Sequence, residues 1–388
     1  MNEHVRSAKD QPADHRSLVA HARAVARDHL EPIVRAGQPG RVNRRLVHAL
    51  AEQGLLGRLY PAELGGAADG PVSAAVLCAL REGIAAESPT AETTLAVQGL
   101  GSYPILHFGS RELAKRWIPP VAAGDAVAAF ALSEPDAGTD AGALSLRAER
   151  DGDDYRLTGS KTWISHAPDA DVYTLFARTT HNVGARGVTA FVVPGDAPGL
   201  SGTPLELLAP HAIGRLELDG VRVPASAILG ELDRGFRVAM ATLDRFRPSV
   251  GAAAVGIAQA ACDAALAHAR RRQAFGRELR EFQAVSHKLA DMATRIQAAR
   301  LLVYDAAAAH DTAQIHSTRA SAMAKLFATE MAQTVVDDAI QIHGAAGLQV
   351  GHVLEALYRE VRALRIYEGT SEIQRTIIAR ELYREGEQ

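Results

Sequence analysis

The chain has 388 residues, of which 47% are hydrophobic and 22% charged. That is ordinary globular composition, over a length that suggests roughly two to three domains and cores that need no metal or disulfide staple. Its 42 basic and 45 acidic residues leave a net charge of −3, which gives no general reason to expect nucleic acid or an anionic membrane as partner.

Residues 1–17 are polar and carry no apolar signal core. From 16 to 124 the pattern is helical. Leu18, Val19, Ala22, Val25 and Ala26 recur every three to four residues, and Leu46, Leu50 and Leu55 continue the stripe. Pro61 and the Gly65–Gly66 pair interrupt it, and 74–84 and 113–121 read as further helices. Near Gly124 the texture changes, and to about Leu232 the chain is β-rich. Strand-like runs at 172–178, 188–193 and 216–223 are separated by turn clusters such as Asp151-Gly152-Asp153. Beyond Gly235 helices return. Leu289, Met292, Ile296, Ala299 and Val303 follow helical spacing, Met323, Phe327, Met331 and Val335 recur every four, and Ile373, Ile377, Ile378 and Leu382 mark a last amphipathic helix. Long helices of this kind normally pack as a bundle. The expected domains are therefore 1–124, helical; 125–232, β; and 233–388, a helical bundle. Cys78 and Cys262 lie in Ala-rich stretches and read as small buried hydrophobes in a reducing compartment. No run of 18 apolar residues suggests a transmembrane helix, and a cytoplasmic location is the default expectation.

Five segments carry possible chemistry. The first, from Phe130 through Leu132, Ser133, Gly138 and Thr139 to Asp140, is turn-rich, with hydroxyls and exposed backbone donors suited to a planar, polar-edged ligand. A plain surface loop is an equal reading. In the second, Trp163 offers a stacking face, with Ile164 and then the Ser165 hydroxyl beside it; alone, a core tryptophan is the simpler reading. In the third, Arg272 can fork onto a pyrophosphate and Phe275 can face an adenine, with Phe282 and Gln283 following. Alone, a solvated helix face is the simpler reading of the arginine run. The fourth, Gln341-Ile342-His343-Gly344-Ala345, ends a helix, and Gly344 fits a C-cap or close backbone approach to a ligand.

The fifth segment, RIYEGTSEIQ at 365–374, has two readings. Glu368 is either an ordinary acid ahead of a helix whose capping box is Ser371 and Gln374, or a base aimed from a tight Gly-containing turn into a pocket. No G-x-G-x-x-G, Walker loop, H-E-x-x-H, G-x-S-x-G or zinc spacing is present, so no metal is expected.

Taken together and in this order, these motifs resemble the acyl-CoA dehydrogenase family, from residue 16 to 384. The resemblance implies a helical N-terminal domain, a middle β-barrel-like domain and a C-terminal four-helix bundle, with FAD between the last two. Phe130, Leu132, Ser133, Gly138, Thr139, Trp163, Ile164 and Ser165 would line the flavin. Arg272, Phe275, Phe282, Gln283, Gln341, Ile342, Gly344 and Ala345 would hold its distal end across a subunit interface, implying a homotetramer or homodimer. Thr370, Ser371 and Glu372 would touch FAD as well. Glu368 matches the family's catalytic base, which removes the α-proton of an acyl thioester while the β-hydrogen leaves as hydride.

The pocket segment 243–248 supplies Asp244, Phe246 and Arg247, and Thr139, Tyr367 and Gly369 would join them at the substrate. Phe246 stands where some relatives carry the base, and its bulk is expected to shorten the acyl pocket. Gly344-Ala345-Ala346-Gly347 replaces the family's usual adjacent glycines, a change expected to affect FAD affinity. Glu92, with no arginine between 92 and 98, argues against a decarboxylated dicarboxylate. The stretch from Leu208 to Arg215 departs from the usual pattern and has no assigned role. The implied electron acceptor is an electron-transferring flavoprotein, and the thioester carrier is CoA or an acyl carrier protein. An oxygen-using flavin oxidase or monooxygenase of the same fold is the alternative, and a non-catalytic binding module the third reading.

Overall fold

The computed structural model describes residues 11–68, 70, 72–313 and 317–385. The N-terminal helices are α1 (Gln11–Val25), α2 (Glu31–Arg35), α3 (Arg44–Glu52), α4 (Ala74–Ala85), α5 (Pro89–Phe108) and α6 (Arg111–Ala122). Local chemistry sets their starts. Asn43, Ser73 and Ser110 each accept a backbone N–H three residues on, at the N-caps of α3, α4 and α6. The predicted Leu46, Leu50 and Leu55 are all buried.

The middle segment contains β1 (Ala128–Ala131), β2 (Arg147–Asp151), β3 (Asp154–Ser165), β4 (Val172–Arg178), β5 (Val188–Pro194), β6 (Leu200–Pro204), β7 (Ile213–Pro224) and β8 (Ile228–Leu229). They form one mixed sheet in the order β6-β7-β3-β2-β4-β5-β8, with β1 added parallel to β4. The expected barrel-like closure is not found. Among the described residues the edge strands β6 and β8 do not pair with each other, and β2 and β4 share a single parallel register position, Arg147 with Arg178. α5 packs against β1 and β4. Every residue of β4 is buried, as expected of a strand covered on both faces.

The C-terminal helices are α7 (Gly235–Arg271), α8 (Gln283–Asp311), α9 (Ser317–His343), α10 (Val353–Leu364) and α11 (Ser371–Glu385), with a short hairpin of β9 (Gln273–Ala274) and β10 (Arg277–Glu278) between α7 and α8. α7, α8 and α9 pack on one another, α10 packs on α7 and α9, and α11 lies on α9. α7 is long and apolar enough to cross a membrane, but two thirds of its most apolar stretch is buried in the protein. The predicted α9 stripe is displaced. Met323 and Phe327 are exposed, and Ala324, Ala328, Met331 and Val335 face the core. Small residues there let α7 approach closely: a Cβ on Gly251 would lie 3.4 Å from the Ala328 Cβ.

α4 joins the two halves of the molecule. Leu77, Leu80 and Ile84 belong to the core shared by the N-terminal helices and the sheet, while Ala74, Ala75, Cys78 and Ala85 belong to the core of the bundle. Asp311, at the end of α8, accepts from the N–H groups of Ala74 and Ala75 and from Ser73 Oγ, so the last turn of one helix caps the first turn of the other. Two charged residues on α4 are buried and point to different partners. Glu82 accepts from Arg300 and Tyr304 on α8, and Arg81 pairs with Glu92 on α5. Both cysteines are free and buried, as the sequence suggests.

Candidate active site

Glu368 lies between α10 and α11, on a turn that the sequence alone leaves with two readings. Its φ is +53° and that of Gly369 is +91°, so two successive residues are left-handed. For a glutamate this costs on the order of 1–3 kcal/mol and persists only where the surroundings impose it. Here they do. Arg247 Nε and Gln374 Nε2 both donate to the Glu368 carbonyl at 3.2 Å. Gln374 Nε2 also donates to the Gly369 carbonyl at 2.9 Å, and Lys325 Nζ does so at 2.8 Å. Gly369 is required for this arrangement, because a Cβ there would come within 2.7 Å of Gln374 Nε2.

The predicted capping box is not formed. Thr370 Oγ1 accepts from Ile373 N at 3.4 Å, Ser371 is the first helical residue, and its hydroxyl donates to Glu330 at 2.5 Å. Gln374 turns back to the carbonyls of residues 368 and 369 instead of to Ser371. Both carbonyls are pinned, and the N–H groups of Glu368 and Gly369 have no hydrogen-bond partner among the described residues.

The Glu368 side chain is half-buried, and its Oε2 is inaccessible and has no partner. Burial raises its pKa above the ordinary carboxylate value. Arg81, Lys325 and Arg247 oppose the rise, and Glu92 adds to it. Desolvation is thus the source of the upward shift. Lys325 is itself fully buried, and burial holds it down at about 8.

Asp244, Phe246 and Arg247 come from one turn of α7. Arg247 is 4% exposed and ion-paired with Asp244, which also accepts from Thr318. Phe246 is 1% exposed and meets Tyr103 edge-on at 5.7 Å. A Cβ on Gly99 of α5 would touch Phe246 Cε1 at 3.1 Å. Only a small cavity remains there, lined by Leu59, Tyr60, Gly99, Tyr103 and Phe246. Tyr367 is partly exposed at the mouth of the turn.

The flavin-type loop and β3 are brought together. Thr162 N donates to Ser133 O at 3.0 Å. Lys161 Nζ donates to Leu132 O and to Glu134, both at 2.9 Å, and Glu134 also accepts from Ser145 and Leu146. Residues 132–134 therefore lie against Lys161 and Thr162, with Trp163 and Ser165 next along β3; Phe130 is in β1 just before this loop, and Gly138 and Thr139 are exposed farther along it. Trp163 is left-handed, with φ +59°, and 53% exposed, so it presents a free aromatic face. A Cβ on Gly138 would meet nothing within 4 Å. Leu132 and Ile164 are buried in the core and offer backbone only.

Arg272, Phe275, Phe282 and Gln283 cluster around the β9–β10 hairpin. Phe275 is 96% exposed, and Phe282 packs against it at 6.3 Å and beneath Arg277 at 3.9 Å. Gln341, Gly344 and Ala345 are exposed at the end of α9, whereas Ile342 is buried in the bundle. No hydrogen bond or ring contact joins this second group to the first among the described residues. An exposed aromatic platform, a basic hairpin and a glycine facing open space fit an extended, flat-ended dinucleotide.

Sequence reasoning missed several groups, Arg81, Lys161 with Glu134, and Lys325, and it missed that Arg247 and Gln374 donate to the Glu368 carbonyl. A buried charge is poorly marked in sequence, because nothing local distinguishes Lys161 or Lys325 from a surface lysine. The unassigned stretch 208–215 also acquires a place. His211 Nε2 meets Glu360 on α10 at 2.6 Å, Ala212 O accepts from His166 N, and Pro210 O accepts from Gly40 N. It clasps the sheet to both helical parts.

The description "Acyl-CoA dehydrogenase, N-terminal domain" matches residues 12–125, the middle domain of that family matches 129–221, and its C-terminal domain matches 233–383. The cyclohexane-1-carbonyl-CoA dehydrogenase of Geobacter metallireducens is 38% identical over 94% of this chain and 96% of its own. The structure of butyryl-CoA dehydrogenase from Megasphaera elsdenii superposes with a TM-score of 0.90 at 32% identity, covering 95% of this chain and 98% of that one. A glutaryl-CoA dehydrogenase from Mycobacterium smegmatis, solved in complex with FADH2, superposes with a TM-score of 0.87 at 28% identity, over 95% and 94% of the two chains. The chain belongs to the acyl-CoA dehydrogenase family and is an FAD-dependent enzyme of that kind.

Proposed function

We propose that Glu368 is the base that removes the α-proton of an acyl-CoA with a compact acyl group. The observation that carries this reading is its carboxylate: one oxygen is buried without a partner, on a turn whose carbonyls are pinned and whose N–H groups are free. The α-proton of a saturated thioester is a very weak acid. Desolvation makes Glu368 a stronger base, which narrows the gap. The free N–H of Glu368 can donate to the thioester oxygen as negative charge develops there. Arg247, Gln374 and Lys325 hold the peptide so that this donor costs no reorganisation when the proton moves.

The residues at 130–139 and 163–165 would hold the flavin ring, and those at 272–283 and 341–345 the distal end of FAD. Bound FAD supplies the two-electron acceptor for the β-hydrogen. Phe246 and Tyr103 fill the space between α5 and α7, which supports a short, branched or cyclic acyl group over a long straight chain. The exposed Phe275, Leu348 and Val350 support a homodimer or homotetramer that shares the distal FAD site. Onward transfer to an electron-transferring flavoprotein is the reading favoured for the acceptor.

The test is anaerobic flavin bleaching by short, branched, cyclic and long-chain acyl-CoAs. Glu368→Gln should bind FAD and thioester normally and bleach at least about a thousand-fold more slowly. Reduction at near wild-type rate in that variant would remove Glu368 from the mechanism.

A further inference from the structure

A buried ion pair stands behind the base. Arg81 on α4 and Glu92 on α5 are 2% and 3% exposed, and Arg81 Nε donates directly to Glu92 Oε1. Arg81 Nη1 donates to Ser249 Oγ at 2.7 Å, and Ser249 in turn donates to Phe246 O at 2.6 Å. The pair is thus tied to the same stretch of α7 whose Arg247 holds the Glu368 carbonyl. Removing two charges from water is expensive, and a buried pair seldom repays that cost in stability. Stability alone is therefore a weak reason for this pair to lie beside a reactive carboxylate.

We propose that Arg81 and Glu92 form a positioning pair that sets the charge felt by Glu368, the two members acting on it in opposite directions. Neither touches the reacting atoms. The inference rests on the reading of Glu368 as base. The charged groups facing Glu368 come from four helices: Arg81 from α4, Glu92 from α5, Arg247 from α7 and Lys325 from α9, with Tyr367 next to it in the turn. Arg81 is the charge that acts on it most strongly, and it favours the ionised form. Glu92 disfavours that form directly, and it also partly neutralises Arg81. The pocket can then be dry enough to strengthen the base without an uncompensated guanidinium undoing the effect. Lys325, held at about 8, titrates on the alkaline side and leaves the acid limb to Glu368.

Both members are tested on the FAD-loaded enzyme by two readouts. One is the acid limb of anaerobic flavin reduction, using whichever of butyryl-, isobutyryl- and cyclohexanecarbonyl-CoA reduces wild type fastest. The other is an infrared titration without substrate of the protonated carboxyl band that is absent from Glu368→Gln. Glu92→Gln removes a negative charge, so the midpoint should move to lower pH by about half a unit or more. Arg81→Gln removes the positive charge, so the midpoint should move to higher pH by a similar amount. If Arg81→Gln does not fold, Glu92→Gln is compared with the double variant Arg81→Gln/Glu92→Gln, whose midpoint should lie above that of Glu92→Gln. A pair that only supports the packing would shift both midpoints the same way or not at all, and that result overturns the proposal. If Glu368→Gln still reduces its flavin, the assignment of the base has failed instead.

Discussion

The side-chain amide of Gln374 donates to the carbonyls of both Glu368 and Gly369, at 3.2 and 2.9 Å. One fully buried side chain thereby fixes two left-handed residues in succession. Replacing it with methionine keeps the volume and removes both donors. Arg247 and Lys325 still hold one carbonyl each, so the turn should loosen without melting. Gln374→Met should lose about 1–3 kcal/mol of stability and keep its FAD. Flavin reduction should slow about ten-fold or more while thioester affinity changes little. Stopped-flow reduction beside equilibrium binding separates the two, and an unchanged reduction rate would show that the turn does not depend on this amide.

What the sequence could reveal of this site follows from what kind of interaction builds it. The tight turn at Glu368 and Gly369 was legible because one short contiguous motif carries it. The sheet was legible where strands are apolar throughout, as at 172–178, and its openness was not, because closure depends on pairing between edge strands that no local pattern marks. The Ser371–Gln374 box was misread for a physical reason. Its spacing is right, but carbonyls only five and six residues before Gln374 compete for the same amide. Likewise, four-residue spacing could not say which face of α9 is inward, because Ala324 and Ala328 pack more closely against α7 than Met323 and Phe327 can. Buried charges such as Arg81 and Lys161 are marked only by partners far away in the chain.

The Lys161–Glu134 pair lies under the loop that would face the flavin. Lys161 is fully buried and bridges Glu134 to the carbonyl of Leu132. Lys161→Met leaves Glu134 without its countercharge, at a cost of about 3–5 kcal/mol. It should also release FAD more readily, because the backbone of residues 132–134 loses its anchor. Flavin retention on gel filtration and the thermal midpoint check both effects. Lys161→Met with full FAD occupancy and wild-type stability would deny the pair this role.

The clasp made by His211 predicts a pH dependence with a definite sign. Burial pushes the imidazole down, but the Glu360 carboxylate outweighs this, and the folded-state value lies above the ordinary 6.5. A group raised on folding gives stability that is complete below its unfolded value and lost as pH rises through the folded one. The melting-temperature difference between wild type and Glu360→Gln should therefore be larger at about pH 6 than at about pH 8.5. A difference that grows with pH contradicts the assignment. His166, which burial holds down at about 4, is common to both proteins and cancels from the comparison.

Phe246 gives the sharpest test of chain-length preference. It is 1% exposed, it packs edge-on against Tyr103, and Gly99 offers no side chain to share the space. Shortening it should open the region between α5 and α7 where a longer acyl tail would extend. Phe246→Ala should cost about 3–5 kcal/mol from the lost contacts and the cavity, so the measurement is made well below its melting temperature. One additional methylene in an apolar pocket is worth about 1–3 kcal/mol. The ratio of kcat/KM for octanoyl-CoA over butyryl-CoA should then rise by at least about ten-fold. Base and turn are untouched, so the rate of reduction with the best substrate should fall much less than this ratio rises. If wild type already prefers octanoyl-CoA, Phe246 does not limit the pocket, and the variant should leave the ratio where it was.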